Sequence, residues 1–315
     1  MKTYDLKTAY MRNPMGLDDL HPQLSWKTKD GKKQTAFKIE VSVNDKPWKL
    51  MEERRSDSMK TSYSLPLESR DRILWRVAVA DENGVYDSWS QPAFFEMGLL
   101  EKKEWKASFI MGNYEHSKSP KVRYPVDCFK KTFRIKKENL VRARLYITAC
   151  GLYETKINGT KVGDAVLTPG STAFQKRVHY QTYDVTEEVS KQGMLRVLLG
   201  NGWYKARFGF SAFEDKGFYG NEWKLIAELH LTYADGSEEV IDTDESWQVR
   251  RSKIAFSNLY DGEHRDDTLS ELPLEKAVFC EAPKGELTER MSLPVMIHET
   301  FEPKELLHTP AGELV

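Results

Sequence analysis

The stretch Trp223-Lys224-Leu225-Ile226-Ala227-Glu228-Leu229-His230-Leu231-Thr232-Tyr233 decides the fold class of this 315-residue chain. Most of its apolar side chains fall at every second position, so they lie on one face of an extended strand. Shorter runs with the same alternation occur at 38–43, 73–79 and 143–149. This period of two predicts β-strands that each bury one face against a core.

The segments between these runs favour antiparallel pairing. Asn83-Gly84, Asn158-Gly159 and Asp235-Gly236 tolerate the positive φ of two-residue turns, and each is expected to join antiparallel neighbours. Capped segments of ten or more residues with helical periodicity are nearly absent, although 186–192 could form one turn of helix. The sequence therefore predicts an all-β protein and excludes a helical enzyme core.

The strand pattern divides into two predicted antiparallel β-sandwich domains. Residues 1–98 carry several strand-length segments in the pattern of a fibronectin type III-like or immunoglobulin-like sandwich. Residues 99–106, with the charged run Glu101-Lys102-Lys103-Glu104, form a predicted linker. Residues 107–300 are predicted to form a larger, jelly-roll-like sandwich.

Composition excludes several classes of partner. Lys and Arg number 47 and Asp and Glu number 48, so the net charge is −1, and no basic stripe favours nucleic acid. No signal-peptide core and no window of roughly 18 apolar residues is present, so no membrane partner is expected. Cys128, Cys150 and Cys280 are odd in number and lack metal-ligand spacing, which is typical of reduced thiols in a cytoplasmic protein. We therefore expect cytoplasmic localisation and no metal site.

The segment 200–223 is the first candidate for chemistry, because it holds five glycines and eight aromatic residues. Sugars bind such surfaces, since their C–H faces stack on rings while nearby polar groups satisfy their hydroxyls. The sugar-binding candidates from this segment are Asn201, Trp203, Tyr204, Arg207 and Trp223. Core packing is the alternative for these rings, above all for Trp223, which begins an alternating strand.

A second candidate segment runs from 259 to 267 and contains four carboxylates within seven residues. Its sugar-binding candidates are Tyr260, Asp261 and Glu263. The spacing is not that of a calcium-binding EF-hand loop, and Arg265 would neutralise part of the charge. A structural loop, a sugar contact and a metal site remain alternatives for this segment.

Several motifs occur together in the order found in one enzyme family. They are Asn13–Asp18, Thr168-Pro169-Gly170, Tyr180–Thr186 and Gly200-Asn201-Gly202-Trp203-Tyr204. With them the chain resembles the N-terminal region of bacterial α-L-rhamnosidases, glycoside hydrolases that remove terminal L-rhamnose. The resemblance implies a non-catalytic fragment, because the family's helical catalytic barrel comes later in the sequence. It also implies that residues 301–315 begin a truncated following module.

The resemblance further implies binding partners for this chain, although several residues of the chain differ from those that the family usually has. The expected partners are L-rhamnose-containing glycosides and the missing catalytic domain of the same enzyme, and no catalytic residue is expected in this chain. Some members carry a rhamnose-binding module that uses calcium. Where the family usually has Trp, Asp and Tyr, this chain has Ser171, Ala173 and Phe174, and Ala206 replaces a common glycine. Losing a ring and a carboxylate weakens the case for calcium, so no cofactor is expected.

Three hypotheses follow. In the first, the second sandwich helps to bind rhamnosides for a catalytic barrel. In the second, both sandwiches are structural and only orient and shield that barrel. In the third, the chain is a freestanding hydrolase that uses Asp261, Glu263 and Asp267. That third hypothesis requires two carboxyl groups flanking a sugar cleft at about 5–9.5 Å, which no motif locates.

Overall fold

The computed structural model describes residues 1–116, 119, 122–205, 217–290 and 292–314. Within these ranges the chain is built from β-strands, with a 3₁₀ turn at Lys102–Glu104 and a one-turn helix, α1, at Gly202–Lys205. The predicted all-β fold is confirmed. No helix in the described part is both long and apolar enough to cross a bilayer.

The first sandwich packs a three-stranded sheet against a five-stranded sheet. In spatial order, the smaller sheet contains β1 (Lys2–Thr8), β3 (Gln23–Lys29) and β6 (Lys60–Ser62). The larger contains β2 (Met15–Leu17), β8 (Ala93–Met97), β7 (Arg72–Ala80), β4 (Ala36–Val43) and β5 (Lys49–Arg55). Alternating residues of these strands, among them Phe37, Trp75 and Phe95, are fully buried between the layers. Trp75 keeps its indole N–H satisfied by donating to the Thr8 hydroxyl at 3.1 Å.

The second sandwich is a longer path of hydrogen-bonded strands that closes around one core. Its first half contains β13 (Thr160–Lys161), β12 (Leu152–Ile157), β15 (Gln192–Gly200), β10 (Asp127–Arg134), β18 (Gln248–Arg251) and β21 (Glu275–Phe279). Its second half contains β9 (Ile110–Gly112), β16 (Lys224–Tyr233), β11 (Leu140–Cys150), β14 (Arg177–Asp184) and β22 (Glu286–Glu289), with β17 (Glu238–Asp242) beside β16. Phe129 and Val197 from the first half meet Leu145 and Leu229 from the second in one buried cluster. The alternating run that begins at Trp223 therefore supplies a central strand.

The turns join antiparallel neighbours in all three predicted places, although only two of them are followed by a strand. Asn158 and Gly159 both have positive φ, 52° and 90°, and join β12 to β13. Asp235-Gly236 joins the antiparallel strands β16 and β17. The connection at Asn83-Gly84 is also antiparallel, with a bridge between Ala80 and Tyr86 and a hydrogen bond from the Asp81 N–H to the Val85 carbonyl at 3.0 Å, but the pairing there is too short to form a strand.

The sheets are antiparallel apart from two pairs. β2 pairs with β8 and β14 pairs with β22 in parallel. Each pair joins strands far apart in the chain, which is where a parallel arrangement becomes sterically available. The short strands β2 and β22 both lie near the contact between the two sandwiches, where Asp18 receives a hydrogen bond from the Glu289 N–H at 3.3 Å.

A buried ion pair connects the two sandwiches. Arg144 of β11 donates from Nε to Oε1 of Glu96 at 2.6 Å and from Nη2 to Oε2 at 2.9 Å. Its Nη1 also lies 2.7 Å from an Asp184 carboxylate oxygen. Glu96 belongs to β8 of the first sandwich and is 1% exposed. Because this pairing is bidentate and desolvated, it fixes one orientation of the two domains.

Close backbone approach tightens the same contact. The Leu99 N–H donates to the Tyr180 hydroxyl at 3.0 Å. A Cβ at Gly98 would overlap that hydroxyl and lie 2.8 Å from the Gly16 carbonyl oxygen. Trp105 packs edge-on against Tyr180, with ring centroids 5.4 Å apart. Residues of the predicted linker therefore pack between the sandwiches.

The end of that linker is held by a buried carboxylate. Glu228 of β16 is fully buried, and its Oε1 accepts hydrogen bonds from the backbone N–H groups of Lys106 and Ala107. Its Oε2 lies 2.6 Å from His230 Nε2. The backbone groups that leave the 3₁₀ turn are thus paired without water.

Residues 301–314 make few contacts. Phe301 is 80% exposed and Leu306 is 70% exposed, and the one bridge in this part of the described chain joins His308 to Leu314. That residues 301–315 begin a further module remains a prediction.

The contact between Asp18 and Glu289 gives the domain interface a pH dependence. Burial, followed by the neighbouring Asp18 charge, raises the pKa of Glu289 from 4.5 to about 9. Because the folded-state pKa is raised, the folded protein holds this proton more tightly than the unfolded chain. The stability it contributes is complete below pH 4.5 and is lost as the pH rises towards about 9.

We therefore expect Glu289→Gln, which keeps the neutral shape at all pH values, to melt a few degrees higher than the parent at about pH 8.5. Near pH 4.5 the two proteins should melt together. Thermal denaturation across this range measures the effect. Glu286→Gln is the matched control, because Glu286 is exposed on the same strand. A difference in melting temperature between Glu289→Gln and the parent that does not change with pH would contradict the expectation.

Candidate functional site: an aromatic surface beside a buried polar cluster

The aromatic segment starts where β15 ends at Gly200. Gly202 has φ +51°, and a Cβ there would lie 2.6 Å from the Leu152 backbone nitrogen, so only glycine fits this turn. The one-turn helix that follows buries Tyr204 and Lys205 but leaves Trp203 half-buried at the surface. The turn therefore separates one accessible ring from two inward-facing side chains.

Two motifs from distant parts of the sequence meet at this point. Tyr204 packs edge-on against Phe174, with ring centroids 5.2 Å apart, and Phe174 packs against Tyr219 at the same distance. The ring centroids of Phe218, which is 44% exposed, and Tyr219 lie 4.6 Å apart. Trp203 packs against the same cluster. We call the accessible side of this cluster, formed by Trp203, Phe218 and Tyr219, the aromatic surface.

The loop before Phe174 lies next to this cluster. Ser171 and Ala173 are both exposed. These are the positions where the resemblance expects a tryptophan and an aspartate. The loop therefore has small, solvent-facing side chains at the two positions where the resemblance implies a ring and an acidic oxygen.

Three of the candidate residues are buried. Asn201 is 4% exposed, Tyr204 is 7% exposed and Trp223 is 2% exposed. Trp223 donates its indole N–H to the Asn201 side-chain oxygen at 3.2 Å. In this structure Trp223 has the contacts of a core residue, as its alternating strand suggested. Tyr204 belongs to the buried part of the aromatic cluster, whereas Trp223 packs in the main core of the second sandwich.

Arg207 lies outside the described residues, as do the aromatic residues of the segment 206–216. The remaining candidates lie on a separate hairpin, β19 (Ile254–Asn258) and β20 (Gly262–Arg265). Tyr260 is 67% exposed at its tip and Glu263 is exposed, whereas Asp261 is half-buried. The end of β19 lies near the end of β15, because a Cβ at Gly200 would be 3.6 Å from Ser257 Cβ.

The hairpin does not provide the cleft that a hydrolase requires. Asp267 is paired with Arg265 at 3.0 Å, and both side chains are about two-thirds exposed. Glu263 is also exposed. A catalytic acid needs an environment that favours its protonated form, and full hydration provides the opposite. The freestanding-hydrolase hypothesis therefore gains no support from these carboxylates.

A buried polar cluster beneath the aromatic segment was missed by the sequence analysis. Asp127, fully buried at the start of β10, accepts a hydrogen bond from the Tyr114 hydroxyl through Oδ1. Its Oδ2 has no hydrogen-bond partner among the described residues. Arg251 lies 4.6 Å from the ring centroids of both Tyr114 and Tyr124. Lys205 is 2% exposed, and its ammonium lies 5.0 Å from the Trp223 ring centroid.

Burial dominates the protonation of this cluster. It raises the pKa of Asp127 to about 7, although the Tyr114 hydrogen bond and the Arg251 and Lys205 charges oppose it. It lowers the pKa of Lys205 to about 8. Burial and then the Lys205 charge lower the pKa of His116, which stacks on Tyr114, to about 4. Burial thus opposes the charged forms of all three groups, but Lys205 with a pKa of about 8 stays mainly cationic at pH 7. Its contact with the Trp223 ring is therefore a cation–π contact in a dry environment, where such contacts strengthen.

This arrangement is suited to support rather than to hydrolysis. Asp127 is the one carboxylate buried in the cluster, so the second carboxyl of a glycosidase pair is missing among the described residues. Within those residues, no group of three or more His, Cys, Asp or Glu side chains is placed to hold a metal ion. A local signal did exist, since Asp127 interrupts the apolar run Val126-Asp127-Cys128-Phe129. Its partners, however, come from positions 114, 205 and 251.

Two family models match the two sandwiches separately. Residues 3–101 match the model described as Rha78A-like, N-terminal immunoglobulin domain. Residues 138–299, half of the chain, match the model described as α-L-rhamnosidase N-terminal domain. The chain belongs to the α-L-rhamnosidase N-terminal domain family. The resemblance drawn from the motifs is confirmed, as is the immunoglobulin-like fold of the first domain.

Full-length relatives carry the same N-terminal domains. An α-L-rhamnosidase from Alteromonas sp. (strain LOR) is 32% identical over 274 residues, which is 81% of this chain and 29% of the relative. One from Formosa agariphila is 31% identical over 286 residues, 83% of this chain and 30% of the relative. The chain thus spans about 30% of the length of these curated relatives.

Solved structures of α-L-rhamnosidases superpose on nearly the whole chain. The enzyme from Dictyoglumus thermophilum matches with a TM-score of 0.83 and 30% identity, over 98% of this chain and 38% of that one. The enzyme from Aspergillus terreus matches with a TM-score of 0.89 and 27% identity, over 99% and 38%. Both rhamnosidase N-terminal sandwiches are therefore contained in the matched region.

Proposed function

We propose that this chain is a non-catalytic N-terminal region of an α-L-rhamnosidase whose second sandwich binds terminal L-rhamnose on the aromatic surface. The observation that carries the proposal is the clustering of Trp203, Phe218 and Tyr219 around the buried Phe174 and Tyr204. Accessible rings on a rigid base bind sugar C–H faces at low entropic cost. The partners would be L-rhamnose-containing glycosides and the catalytic domain of the same enzyme.

A second candidate function is purely structural. It is favoured by the burial of Asn201, Tyr204 and Trp223, and by the buried ion pair between Glu96 and Arg144. In this role the two sandwiches orient and shield a catalytic domain and bind no ligand of their own. The exposed small residues Ser171 and Ala173 are also compatible with it.

Calorimetric titration of L-rhamnose into the 315-residue chain separates the two functions. We expect weak, saturable binding that falls at least tenfold in Trp203→Ala, with a melting temperature close to that of the parent, because Trp203 is only half-buried. Trp48→Ala is the matched control, since Trp48 is a 36% exposed tryptophan in the first sandwich. Its binding should equal that of the parent.

The titration is repeated with calcium and with a chelator. We propose that binding needs no metal, so the two conditions should give the same affinity. An absence of heat at high sugar concentration in both conditions would favour the structural function. A Trp203→Ala variant that loses several degrees of melting temperature but keeps its affinity would assign Trp203 to packing.

A further inference from the structure

The outer face of the second sandwich carries an unusual row of like charges. In the register of the sheet, Arg196 of β15 lies directly opposite Lys130 of β10 on one side and Lys156 of β12 on the other. Their side chains point away from the core, since the residues that flank Arg196, Leu195 and Val197, are buried. Like charges placed directly opposite each other destabilise a sheet. The row therefore has a structural cost that a bound anion would offset.

Carboxylates neutralise this row only at its edge. Lys156 lies 3.5 Å from Glu154 on its own strand. Neither Arg196 nor Lys130 makes a side-chain ion pair or hydrogen bond with a described residue, and both are half-buried. The whole chain has a net charge of −1, so the local excess is not a consequence of composition.

A pocket of about 160 Å³ opens beside this row. Its base is formed by Cys128 and by Leu198, which lies directly opposite Cys128 on β15. Burial raises the pKa of the Cys128 thiol, so this floor is uncharged at neutral pH. A water molecule takes up about 30 Å³ in the liquid, so the volume matches one oxyanion group and part of a sugar ring.

The walls of the pocket are cationic. Arg196, Arg250, Lys253 and Arg265 contribute to them, and Glu271 is the one carboxylate that lines the pocket among the described residues. Arg250 pairs with Glu271 at 2.6 Å, but the Glu271 side chain is 60% exposed and can be displaced by a ligand at little cost.

The other cations have partial partners. Lys253 donates to the Asp267 backbone carbonyl at 2.9 Å, and Arg265 pairs with the Asp267 carboxylate. Of these four cations, Arg196 is therefore the one whose side chain makes no ion pair or hydrogen bond with a described residue. Its planar guanidinium is suited to bidentate recognition of a sulfate or a carboxylate.

We propose that this pocket binds an anionic saccharide through its sulfate or carboxylate group, with Arg196 as the principal contact. Leu198 and Ile254 supply apolar surface for the sugar ring. That the ligand is a saccharide rests on the proposed function, whereas the anionic group is indicated by the charge of the pocket alone. The site is separate from the aromatic surface, because none of its lining residues belongs to that surface.

Titration of the chain with defined probes tests the proposal. Glucuronate and glucose 6-sulfate should bind saturably, whereas neutral glucose should not, and the affinity should fall as the salt concentration rises. Arg196→Gln should weaken binding at least tenfold. Its melting temperature should stay equal to that of the parent or increase, because the variant removes one of three adjacent like charges. A purely structural arginine would not combine these two results.

Arg134→Gln is the matched control, since Arg134 is an exposed arginine on the same face of β10 but four residues beyond Lys130. It should bind within about twofold of the parent. Binding of neither acidic sugar, equal binding of glucose, or unchanged affinity in Arg196→Gln would overturn the proposal. Inorganic sulfate that binds as tightly as glucose 6-sulfate would overturn its saccharide part. Trp203→Ala should retain acidic-sugar binding, so failure of the L-rhamnose site and failure of this pocket are distinguishable.

Discussion

Arg144→Ala should lower the free energy of unfolding by about 3–5 kcal/mol, the cost of breaking a buried pair by removing one partner. The reason is that the Glu96 carboxylate remains buried after its partner is removed. Glu96 is 1% exposed, and Arg144 supplies both of its short hydrogen bonds, at 2.6 and 2.9 Å. Without the guanidinium, the carboxylate stays buried and uncompensated at the contact between the two sandwiches.

The same variant should weaken the coupling of the two domains. Calorimetric unfolding of the parent is expected to give one transition, because the buried pair and the packed linker join the two cores. Arg144→Ala should split this transition or broaden it, with the first sandwich and the second sandwich unfolding separately. Urea denaturation followed at two wavelengths gives an independent measurement.

A double variant separates the charge effect from simple loss of contact. Glu96→Leu combined with Arg144→Met replaces both charges with apolar groups, and such replacements are often neutral or stabilising. The double variant should therefore be more stable than Arg144→Ala, and the double-mutant cycle should give a clearly non-zero coupling energy. If Arg144→Ala unfolded at the same denaturant concentration as the parent, the interdomain ion pair would not contribute as described.

The sequence predicted those features of the fold that depend on local patterns. The alternation that begins at Trp223 gave β16 with Leu225, Leu229 and Leu231 on the core face, as expected from a period of two. The opposite face was predicted to be exposed, but Ile226, Glu228 and His230 are buried there as well. The Asn158-Gly159 pair gave a hairpin turn, because both residues tolerate positive φ. Such patterns involve residues that are neighbours in the sequence, so they predict a single strand or turn without any information about distant residues.

The features that the sequence did not predict depend on distant partners. Glu96 and Arg144 look like ordinary charged strand residues, and their pairing is visible only once two domains are docked. Asp127 is similar, because its hydrogen bond comes from Tyr114 and its cationic neighbours from 205 and 251. The Asn83-Gly84 turn shows the limit of a local signal, since it gave the expected antiparallel connection but only a short pairing around the bridge between Ala80 and Tyr86.

The sequence predicted the location of the candidate site better than it predicted the role of each residue in that site. Aromatic density identified the segment 200–223, but composition alone could not tell which ring faces outward. That distinction depends on the positive φ of Gly202, which turns Tyr204 inward and leaves Trp203 half-buried. The row formed by Lys156, Arg196 and Lys130 was also invisible, since three separate strands bring it together.

Trp223→Ala is expected to be the second strongly destabilising change, with a loss of about 3–5 kcal/mol of unfolding free energy. Trp223 is 2% exposed and packs within the main core of the second sandwich. Truncation leaves a large cavity, and it also removes the indole that donates to Asn201 at 3.2 Å. For a domain of this size, the expected fall in melting temperature is roughly 6–20 °C.

Trp223→Phe isolates the polar part of that effect. The phenylalanine ring fills most of the space but has no N–H, so the buried Asn201 oxygen loses its donor at a cost of about 1–3 kcal/mol. The order of melting temperatures should therefore be parent, then Trp223→Phe, then Trp223→Ala. Trp203→Ala is the matched control for ring removal at the surface, and its melting temperature should stay close to that of the parent.

Comparing the Trp223 and Trp203 variants also decides between core packing and sugar contact as the role of each tryptophan in the aromatic segment. If Trp223 is a core residue, Trp223→Phe should keep its affinity for L-rhamnose while losing stability, and Trp203→Ala should do the opposite. The two tryptophans would then have separate functions although both belong to the segment 200–223. If instead Trp223→Ala melts with the parent, the indole is not a core residue, and the direct sugar contact expected from its sequence environment becomes the better explanation.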